Sequence, residues 1–171
     1  VYGIDPNPIA TKEAKQNLPP EQIHTGTIED SPFPDNQFDL VICHQTLEHL
    51  PNPFETLLWI QDRLHKNGIL RLTTPNFNGF SFHILQEQWQ NTKPINHCSM
   101  FTPEALKHFV KEASFQVENL NIDGFSYHRR RNENGVYKKH LSGLWGGCFH
   151  VLHSLVVRTG WGDNITMVAR K

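Results

Sequence analysis

Side chains that can move protons or bind ligands follow a short apolar stretch in the first third of the chain. Residues 40–43 are apolar and rich in β-branched side chains, which predicts a strand buried on both faces. His44 ends this strand, and Glu48 and His49 follow soon after. Because ligands of open α/β sheets bind at the carboxyl ends of parallel strands, we expect chemistry at this point of the fold. The imidazole of His44 can take a proton from a hydroxyl at neutral pH, or its backbone alone can touch a ligand.

The segments around this stretch predict strands and helices that alternate along the chain. Thr102 is a good N-cap for one of the helices because Pro103 can follow it in the first turn. Another helix is expected to end at a glycine cap, Asn67-Gly68. Alternation of this kind indicates an α/β fold with a parallel sheet. Strands are predicted at residues 1–4, 23–28, 40–43, 69–73, 115–122 and 163–170, and helices at 8–17, 53–65 and 103–112.

Composition limits the classes of function. A chain of 171 residues suits one domain with a substantial core. Its net charge of −1 does not favour binding to a phosphate backbone, so we predict no nucleic-acid partner. Three cysteines without paired spacing fit a reducing compartment, and the predicted localisation is cytoplasmic. No signal peptide and no membrane span are predicted, because the longest apolar stretch, near 141–157, is interrupted by Gly, His and Ser.

The pattern F-D-L-V-x-x-x-x-x-L-E-H-L-P-x-P at residues 38–53 resembles the class I S-adenosylmethionine-dependent methyltransferases, particularly the quinone-biosynthesis group. The resemblance covers about residues 1–122 and a closing strand near 163–170. It implies a Rossmann-like three-layer α/β sandwich with a mostly parallel sheet and an antiparallel last strand. The segments similar to the second strand, the third-strand exit and the fifth strand of that family are residues 1–6, 26–33 and 66–76.

One landmark of that family does not occur in this sequence. The family's glycine-rich turn follows its first strand, upstream of the acidic residue that corresponds to Asp5. We therefore expect residues 1–171 to form a single methyltransferase domain that is incomplete at its N-terminus and belongs to a longer protein. As this truncated chain, the enzyme is expected to be impaired.

The resemblance implies S-adenosylmethionine as the cofactor and assigns residues to it. Asp5, next to Pro6, would accept hydrogen bonds from ribose hydroxyls, whereas the alternative is that Asp5 caps the following helix. Thr27 and Ile28 would lie beside the adenine, one contact coming from a side chain and one from a backbone amide. The alternative for Thr27 is a residue that only favours β structure at a strand end. His44 would lie next to the methionine part of the cofactor.

Two histidines are candidates for the base that deprotonates the methyl acceptor. His97 matches a histidine that often faces the active site in the family, before an F-T-x-x-x-L helix; otherwise it is a surface histidine in a polar loop. His44 is the second candidate. Glu48-His49 matches part of an E-x-x-E-H metal pattern of some relatives, but Gln45 replaces the first Glu. Because an amide is a poorer ligand than a carboxylate for a hard cation, we predict a hydrogen-bond network at the helix start and no metal.

Two insertions depart from the minimal fold. The first, at about 77–100, is rich in Asn, Gln and aromatic residues and is predicted to cap the acceptor site. The second, at about 124–162, contains a basic run and an apolar stretch with helical spacing. That stretch predicts either a helix packed on the domain or a lid that contacts an anionic membrane surface as a peripheral protein does.

These features together predict methyl transfer to a hydroxyl or carbon nucleophile of a small molecule. The alternative is a non-catalytic methyltransferase-like remnant that binds a partner through the basic insertion. A nicotinamide oxidoreductase would share Asp5 but leaves the E-H-L-P helix start without a reason. The sequence predicts neither the identity of the methyl acceptor nor the oligomeric state.

Overall fold

The computed structural model describes residues 1–92, 97–124, Val156 and residues 158–171. Strands and helices alternate through the first part of the described chain. The strands are β1 (Gly3–Asp5), β2 (Ile23–Thr25), β3 (Phe38–His44), β4 (Leu64–Pro75), β5 (Gln116–Asp123) and β6 (Asn164–Arg170). The helices are α1 (Pro8–Ala14), α2 (Pro53–Arg63), α3 (Phe80–Leu85) and α4 (Pro103–Glu112), with short 3₁₀ turns between some of them.

The described strands form two sheets. β1 and β2 pair in parallel, and a second sheet has the order β3-β4-β6-β5. β3 is parallel to β4, whereas β6 is antiparallel to both β4 and β5. The last strand is therefore antiparallel as expected, but the prediction of a mostly parallel sheet was wrong: the sheet is mixed. A single reversed strand makes one antiparallel ladder at an edge and two when it lies between two strands, as β6 does.

Local sequence signals explain where two of the helices begin. The side chain of Asn7 caps α1 by accepting from the amide of Ile9 at 2.9 Å, and a proline follows it in the first turn. Thr102 Oγ1 accepts from the amide of Ala105 at 3.2 Å and caps α4, which confirms the predicted N-cap. A side-chain oxygen at this position satisfies an amide that the helix itself leaves unpaired.

One face of the four-stranded sheet carries the main core. Cys43, Leu72 and Met167 are neighbours across β3, β4 and β6, and all three are buried. Helices α2 and α4 both cover this face. Each apolar side chain that is fully buried there contributes about 1.5–3 kcal/mol to the free energy of unfolding relative to an exposed one. The helix residues in this cluster are Leu57, Ile60, Leu106, Val110 and Ala113, the last just after α4.

The opposite face of β3 is open in the part of the chain that the structure describes. Leu40 and Ile42 lie on that face and are 50% and 58% exposed. The expectation that β3 is buried on both faces is therefore not met by the described residues. The physical reason is that α2 and α4 pack on the same side of the sheet.

Three aromatic rings connect the two sheets. Tyr2 precedes β1, Phe38 opens β3, and Phe33 lies in the loop before β3. Their ring centroids are separated by 5.2, 5.4 and 6.0 Å, in edge-to-face geometry. Such pairs are favourable beyond their buried area, so this trio fixes the start of β1 beside the start of β3.

The segment after β4, which the sequence predicts to be a cap, buries aromatic side chains of its own. Phe77, Phe82 and Trp89 form a cluster in which Trp89 is fully buried. The amide and hydroxyl of Ser81 donate to the Asp163 carboxylate at 2.9 and 2.6 Å, which joins α3 to the residue before β6. The role of this segment as a cap over an acceptor stays a prediction.

Most of the second predicted insertion, including its basic run and apolar stretch, lies outside the described residues. The packed-helix and membrane-lid interpretations therefore both remain open. Within the described ranges, no helix has the length and apolar character required to cross a membrane.

Candidate functional site

Glu48 lies in a short 3₁₀ turn, Leu47–His49, directly after the end of β3. Its side chain is buried, and one carboxylate oxygen, Oε2, accepts from the Thr74 hydroxyl at 3.1 Å. The other oxygen, Oε1, is buried and has no hydrogen-bond partner among the residues that the structure describes. The Nε2 atom of His49 lies 3.9 Å from Oε1. Buried polar atoms are rarely left unsatisfied, so this oxygen marks a place where a further group is needed.

The loop that carries His97 is fastened to the same turn. The amides of Cys98 and Ser99 both donate to the Glu48 carbonyl, at 2.7 and 3.1 Å. These bonds bring the His97 ring to 4.7 Å from the His49 ring, centroid to centroid. Residues about fifty positions apart in sequence therefore share one site, which the sequence spacing alone does not indicate.

Hydrogen bonding determines which nitrogen of His97 is protonated. His97 Nδ1 lies 2.7 Å from the carbonyl oxygen of Asn91. A carbonyl oxygen only accepts, so Nδ1 must carry the hydrogen. In the neutral ring the lone pair then belongs to Nε2, which is the atom that can accept a proton or bind a metal.

Glu48, His49 and His97 together could hold a metal ion. Their ligand atoms lie within 4.8 Å of one another, and carboxylate and imidazole are common ligands of transition metals. Gln45, which stands where the E-x-x-E-H pattern has its first Glu, donates instead to Asn164 at 3.4 Å. The prediction of no metal stays a prediction, and the described geometry supplies three ligands if one binds.

The end of β3 forms a second hydrogen-bonded group around His44. His44 Nδ1 lies 2.5 Å from Oγ1 of Thr73, its register partner on β4. The next residue, Gln45, adopts a positive φ of 48° and donates its amide to the Thr73 carbonyl at 2.9 Å. A left-handed backbone is uncommon for a residue other than glycine, and it turns the chain away from the sheet at this point. The His44 side chain stays exposed at the strand end.

Cys43, the buried one of two described cysteines beside this site, is inert. Burial and, to a smaller extent, the charge of Glu48 raise the pKa of its thiol to about 11. The thiol is therefore protonated at neutral pH, and since the thiolate is the reactive form, Cys43 acts as a small core residue.

Asp5 and Pro6 lie at the exposed carboxyl end of β1. One carboxylate oxygen of Asp5 accepts from the amide of Asn7 at 2.7 Å, which fixes the direction of the side chain. Asn7, rather than Asp5, is the N-cap of α1. The capping alternative for Asp5 is thus not the arrangement in this structure, and binding of ribose stays a prediction.

Thr27 and Ile28 lie beyond the end of β2, in a loop rather than in a strand. Thr27 Oγ1 is 3.4 Å from Asp30 Oδ1, which also pairs with His24 Nε2 at 2.8 Å. The hydrogen bond from His24 lowers the pKa of Asp30, so this carboxyl stays ionised. A Cβ atom on Gly26 would lie 2.7 Å from His24 Nε2, so a larger residue in this turn would have to displace the His24 ring.

The structure thus gathers the predicted residues into separate groups. Glu48, His49 and His97 come together, and His44 joins Thr73. Asp5 and Thr27 lie at the ends of the neighbouring strands β1 and β2. Sequence reasoning missed Thr73 and Thr74, whose hydroxyls orient His44 and Glu48, because threonines in a strand are ordinarily explained by β propensity alone.

These observations define an α/β domain whose polar residues collect where parallel strands end, the usual place for a ligand in such folds. A family model described as a methyltransferase domain matches residues 1–120. This match covers more than half of the chain, and the chain therefore belongs to the methyltransferase-domain family. The predicted resemblance is confirmed, and the family implies S-adenosylmethionine as its cofactor.

Individual relatives agree with this assignment. The chain is 26% identical over 166 residues to a mitochondrial ubiquinone biosynthesis O-methyltransferase of Schizosaccharomyces pombe, covering 89% of this chain and 59% of that protein. It is 28% identical over 114 residues to a tRNA U34 carboxymethyltransferase of Wolinella succinogenes, covering 66% of this chain and 41% of that protein. The chain thus spans less than two thirds of the length of either relative.

A solved structure shows the same fold. An S-adenosylmethionine-dependent methyltransferase from Archaeoglobus fulgidus superposes with a TM-score of 0.63 at 19% identity, covering 99% of this chain and 75% of that chain. The Rossmann-like α/β class is thereby confirmed, with the correction that the sheet is mixed.

The donor and acceptor groups of the described residues fit this cofactor. Asp5 presents an exposed, oriented carboxylate of the kind that binds ribose hydroxyls at the end of a strand. The tight turn at Gly26 holds Thr27 and Ile28 at the end of the adjacent strand. These residues and His44 would hold the cofactor, which supplies an electrophilic methyl group when bound.

Proposed function

We propose that this protein transfers a methyl group from S-adenosylmethionine to a hydroxyl or carbon nucleophile, with His97 as the general base. Asp5, Pro6, Thr27, Ile28 and His44 bind the cofactor. The observation that carries the catalytic part is the 2.7 Å contact of His97 Nδ1 with the Asn91 carbonyl, which leaves Nε2 as a proton acceptor.

In the proposed reaction with a hydroxyl acceptor, the bond between the methyl carbon and the sulfonium sulfur breaks as a bond to the acceptor oxygen forms. The electrons of the broken bond stay on sulfur, and the hydroxyl proton passes to Nε2 of His97. The Asn91 carbonyl holds the ring in position while the charge develops. Methyl transfer needs little else from the protein except alignment of the reactants and exclusion of water.

The acceptor class is proposed from the relatives and from the charge of the chain. One relative is an O-methyltransferase of ubiquinone biosynthesis, and an oxygen acceptor suits a nearby imidazole base. The other is a carboxymethyltransferase of tRNA, so the expectation that nucleic acid is excluded has lost its support. With a net charge of −1, the chain still favours a small molecule over a polyanion.

A transfer assay with S-adenosylmethionine labelled in its methyl group tests the proposal. The full-length protein, with any residues that precede Val1, is incubated with a panel of small phenols and catechols in one arm and with unfractionated tRNA in the other. We expect label in the small-molecule arm. Label in tRNA alone would show that the acceptor is a nucleic acid and not a small molecule. Label in neither arm, together with no binding of S-adenosylmethionine by calorimetry, would overturn the proposed function.

The variant His97→Gln separates catalysis from binding. It should lose turnover and keep its affinity for S-adenosylmethionine, because His97 is proposed to contact the acceptor and not the cofactor. His108 on α4 provides the matched control, since it is exposed and faces Glu112 on the same helix at 3.9 Å. His108→Gln should retain full turnover.

A further inference from the structure

The hydrogen bond between His44 and Thr73 joins an exposed ring to a buried hydroxyl. The two residues are register partners on the parallel strands β3 and β4, so their side chains point to the same face of the sheet. Thr73 is 5% exposed, whereas His44 is exposed at the end of its strand. The distance between Thr73 Oγ1 and His44 Nδ1 is 2.5 Å.

The direction of this hydrogen bond follows from the other contact of Thr73. The amide of Gln45 donates to Thr73 Oγ1 at 3.2 Å, so the hydroxyl oxygen already accepts one hydrogen. The hydroxyl hydrogen still needs an acceptor. Among the residues that the structure describes, His44 Nδ1 is the acceptor recorded within reach of this hydroxyl. Thr73 therefore donates and His44 Nδ1 accepts, because the reverse direction would leave a buried hydroxyl hydrogen unsatisfied.

A neutral imidazole carries one hydrogen, and when Nδ1 accepts, that hydrogen is on Nε2. We propose that His44 is a hydrogen-bond donor which presents Nε2–H to a carboxylate oxygen of the bound cofactor, and that Thr73 is the residue that positions it. This assignment rests on the proposed function for the identity of the ligand, but the protonation of the ring does not depend on it. It replaces the interpretation of His44 as a base.

The backbone next to His44 supports this arrangement. Gln45 holds its left-handed conformation while its amide bonds both the carbonyl and the hydroxyl of Thr73. The hydroxyl of Thr46 donates to the His44 carbonyl at 2.9 Å and fixes the other side of the turn. A costly backbone conformation and three hydrogen bonds thus hold one ring at the ligand-binding edge of the sheet.

Nuclear magnetic resonance of the histidine nitrogens tests the protonation directly. Long-range proton–nitrogen spectra of the ¹⁵N-histidine-labelled protein at about pH 8, where an ordinary histidine is neutral, distinguish the two ring forms. The signal is assigned by its loss in His44→Gln. We expect His44 to show hydrogen on Nε2. Hydrogen on Nδ1 would overturn the proposal.

Variants of the adjacent residues Thr73 and Thr74 test whether the Thr73 hydroxyl determines the ring form of His44. Thr73→Val removes the hydroxyl at similar size and should give a mixture of both ring forms, whereas Thr73→Ser should restore the Nε2–H form. Thr74→Val is the matched control, since its hydroxyl donates to Glu48 and not to His44. A His44 spectrum that is unchanged in Thr73→Val would overturn the positioning role.

Calorimetry with S-adenosylmethionine tests the ligand contact. His44→Gln keeps an N–H donor, whereas His44→Leu removes it. We expect the leucine variant to bind about tenfold or more weakly and the glutamine variant to bind within a few-fold of the wild type. Equal losses in both, or no loss in the leucine variant, would overturn the donor role. If the wild type does not bind the cofactor at all, the proposed function fails and the carboxylate contact with it, while the ring form of His44 is still decided by the spectra.

Discussion

His44 and His97 lie in different regions of the molecule and hold opposite hydrogen-bond partners at the same ring atom. His44 Nδ1 faces a hydroxyl whose hydrogen has no other recorded acceptor in the described chain, and His97 Nδ1 faces a carbonyl oxygen. The first arrangement leaves a hydrogen on Nε2, and the second leaves a lone pair on Nε2. We therefore propose different chemical roles for these two histidines, each set by one neighbouring atom.

The two regions also differ in how the backbone holds the histidine. His44 belongs to β3 and is fixed by strand pairing with β4. His97 lies in a loop that is tied to the Glu48 carbonyl by the amides of Cys98 and Ser99. Strand pairing therefore holds His44 in place, whereas two hydrogen bonds to a distant turn hold the loop of His97.

The largest expected effect comes from removing the lone pair of His97. His97→Ala should lower turnover about 100-fold or more, the usual contribution of a general base, while the affinity for S-adenosylmethionine stays nearly the same. Steady-state kinetics and calorimetry measure the two quantities separately. His44→Gln is the comparison variant and should keep most of its turnover. If His97→Ala retained full activity across the pH range, His97 would not be the base, and the two histidines would not differ in catalysis.

Replacement of Asp5 should weaken cofactor binding and leave turnover nearly unchanged, the opposite of the effect expected for His97. Asp5→Ala removes a charged acceptor for ribose hydroxyls, which should weaken binding of S-adenosylmethionine by about 2 kcal/mol, roughly thirtyfold. Turnover at saturating cofactor should change little. The matched control is Asp35→Ala, because Asp35 pairs with Arg63 at 3.1 Å on another part of the surface. Equal affinity in wild type and Asp5→Ala by calorimetry would refute the ribose assignment.

The sequence predicted those features that depend on near neighbours. The cap of α4 follows from Thr102 and Pro103 alone, and both positions are as expected. The C-terminal end of α2 was harder to predict from the sequence. The helix stops at Arg63 and β4 begins at Leu64. The left-handed residue is Asn67, with φ 68°, rather than Gly68, and it lies where the pairing of β4 with β3 is irregular. Pairing with β3 and β6 determines where β4 begins and ends, and a local sequence pattern does not indicate this pairing.

Features that depend on distant partners could not be read from the sequence. β6 lies between β4 and β5 because it pairs with both of them. The alternation of apolar residues along a strand is the same whichever strands it pairs with, so the sequence pattern does not indicate its neighbours. The hydrogen bond that we propose to set the ring form of His44 involves Thr73, 29 positions away. His97 was found by its motif, but its contact with His49 required the folded loop.

A smaller effect is expected where the loop of His97 meets α4. Thr102→Ala removes the side chain that accepts from the amide of Ala105, which should lower the free energy of unfolding by about 1 kcal/mol. Urea denaturation measures the change, and Thr102→Ser should restore most of it. We expect the ring form of His44 to stay the same in Thr102→Ala. A loss of that form would mean that the two regions are coupled and are not independent sites.

Removal of metal should have the smallest effect and gives the sharpest distinction between a base and a ligand at His97. Glu48, His49 and His97 could converge on a metal, but the side chain of Gln45 bonds Asn164 instead of adding a fourth ligand. We therefore expect turnover to persist after dialysis against a chelator, because the proposed base uses the free lone pair of Nε2. Loss of turnover that Zn²⁺ or Mg²⁺ restores in the wild type, but not in His49→Gln, would show that this lone pair binds a metal. The contrast with His44 would then be between a hydrogen-bond donor and a metal ligand.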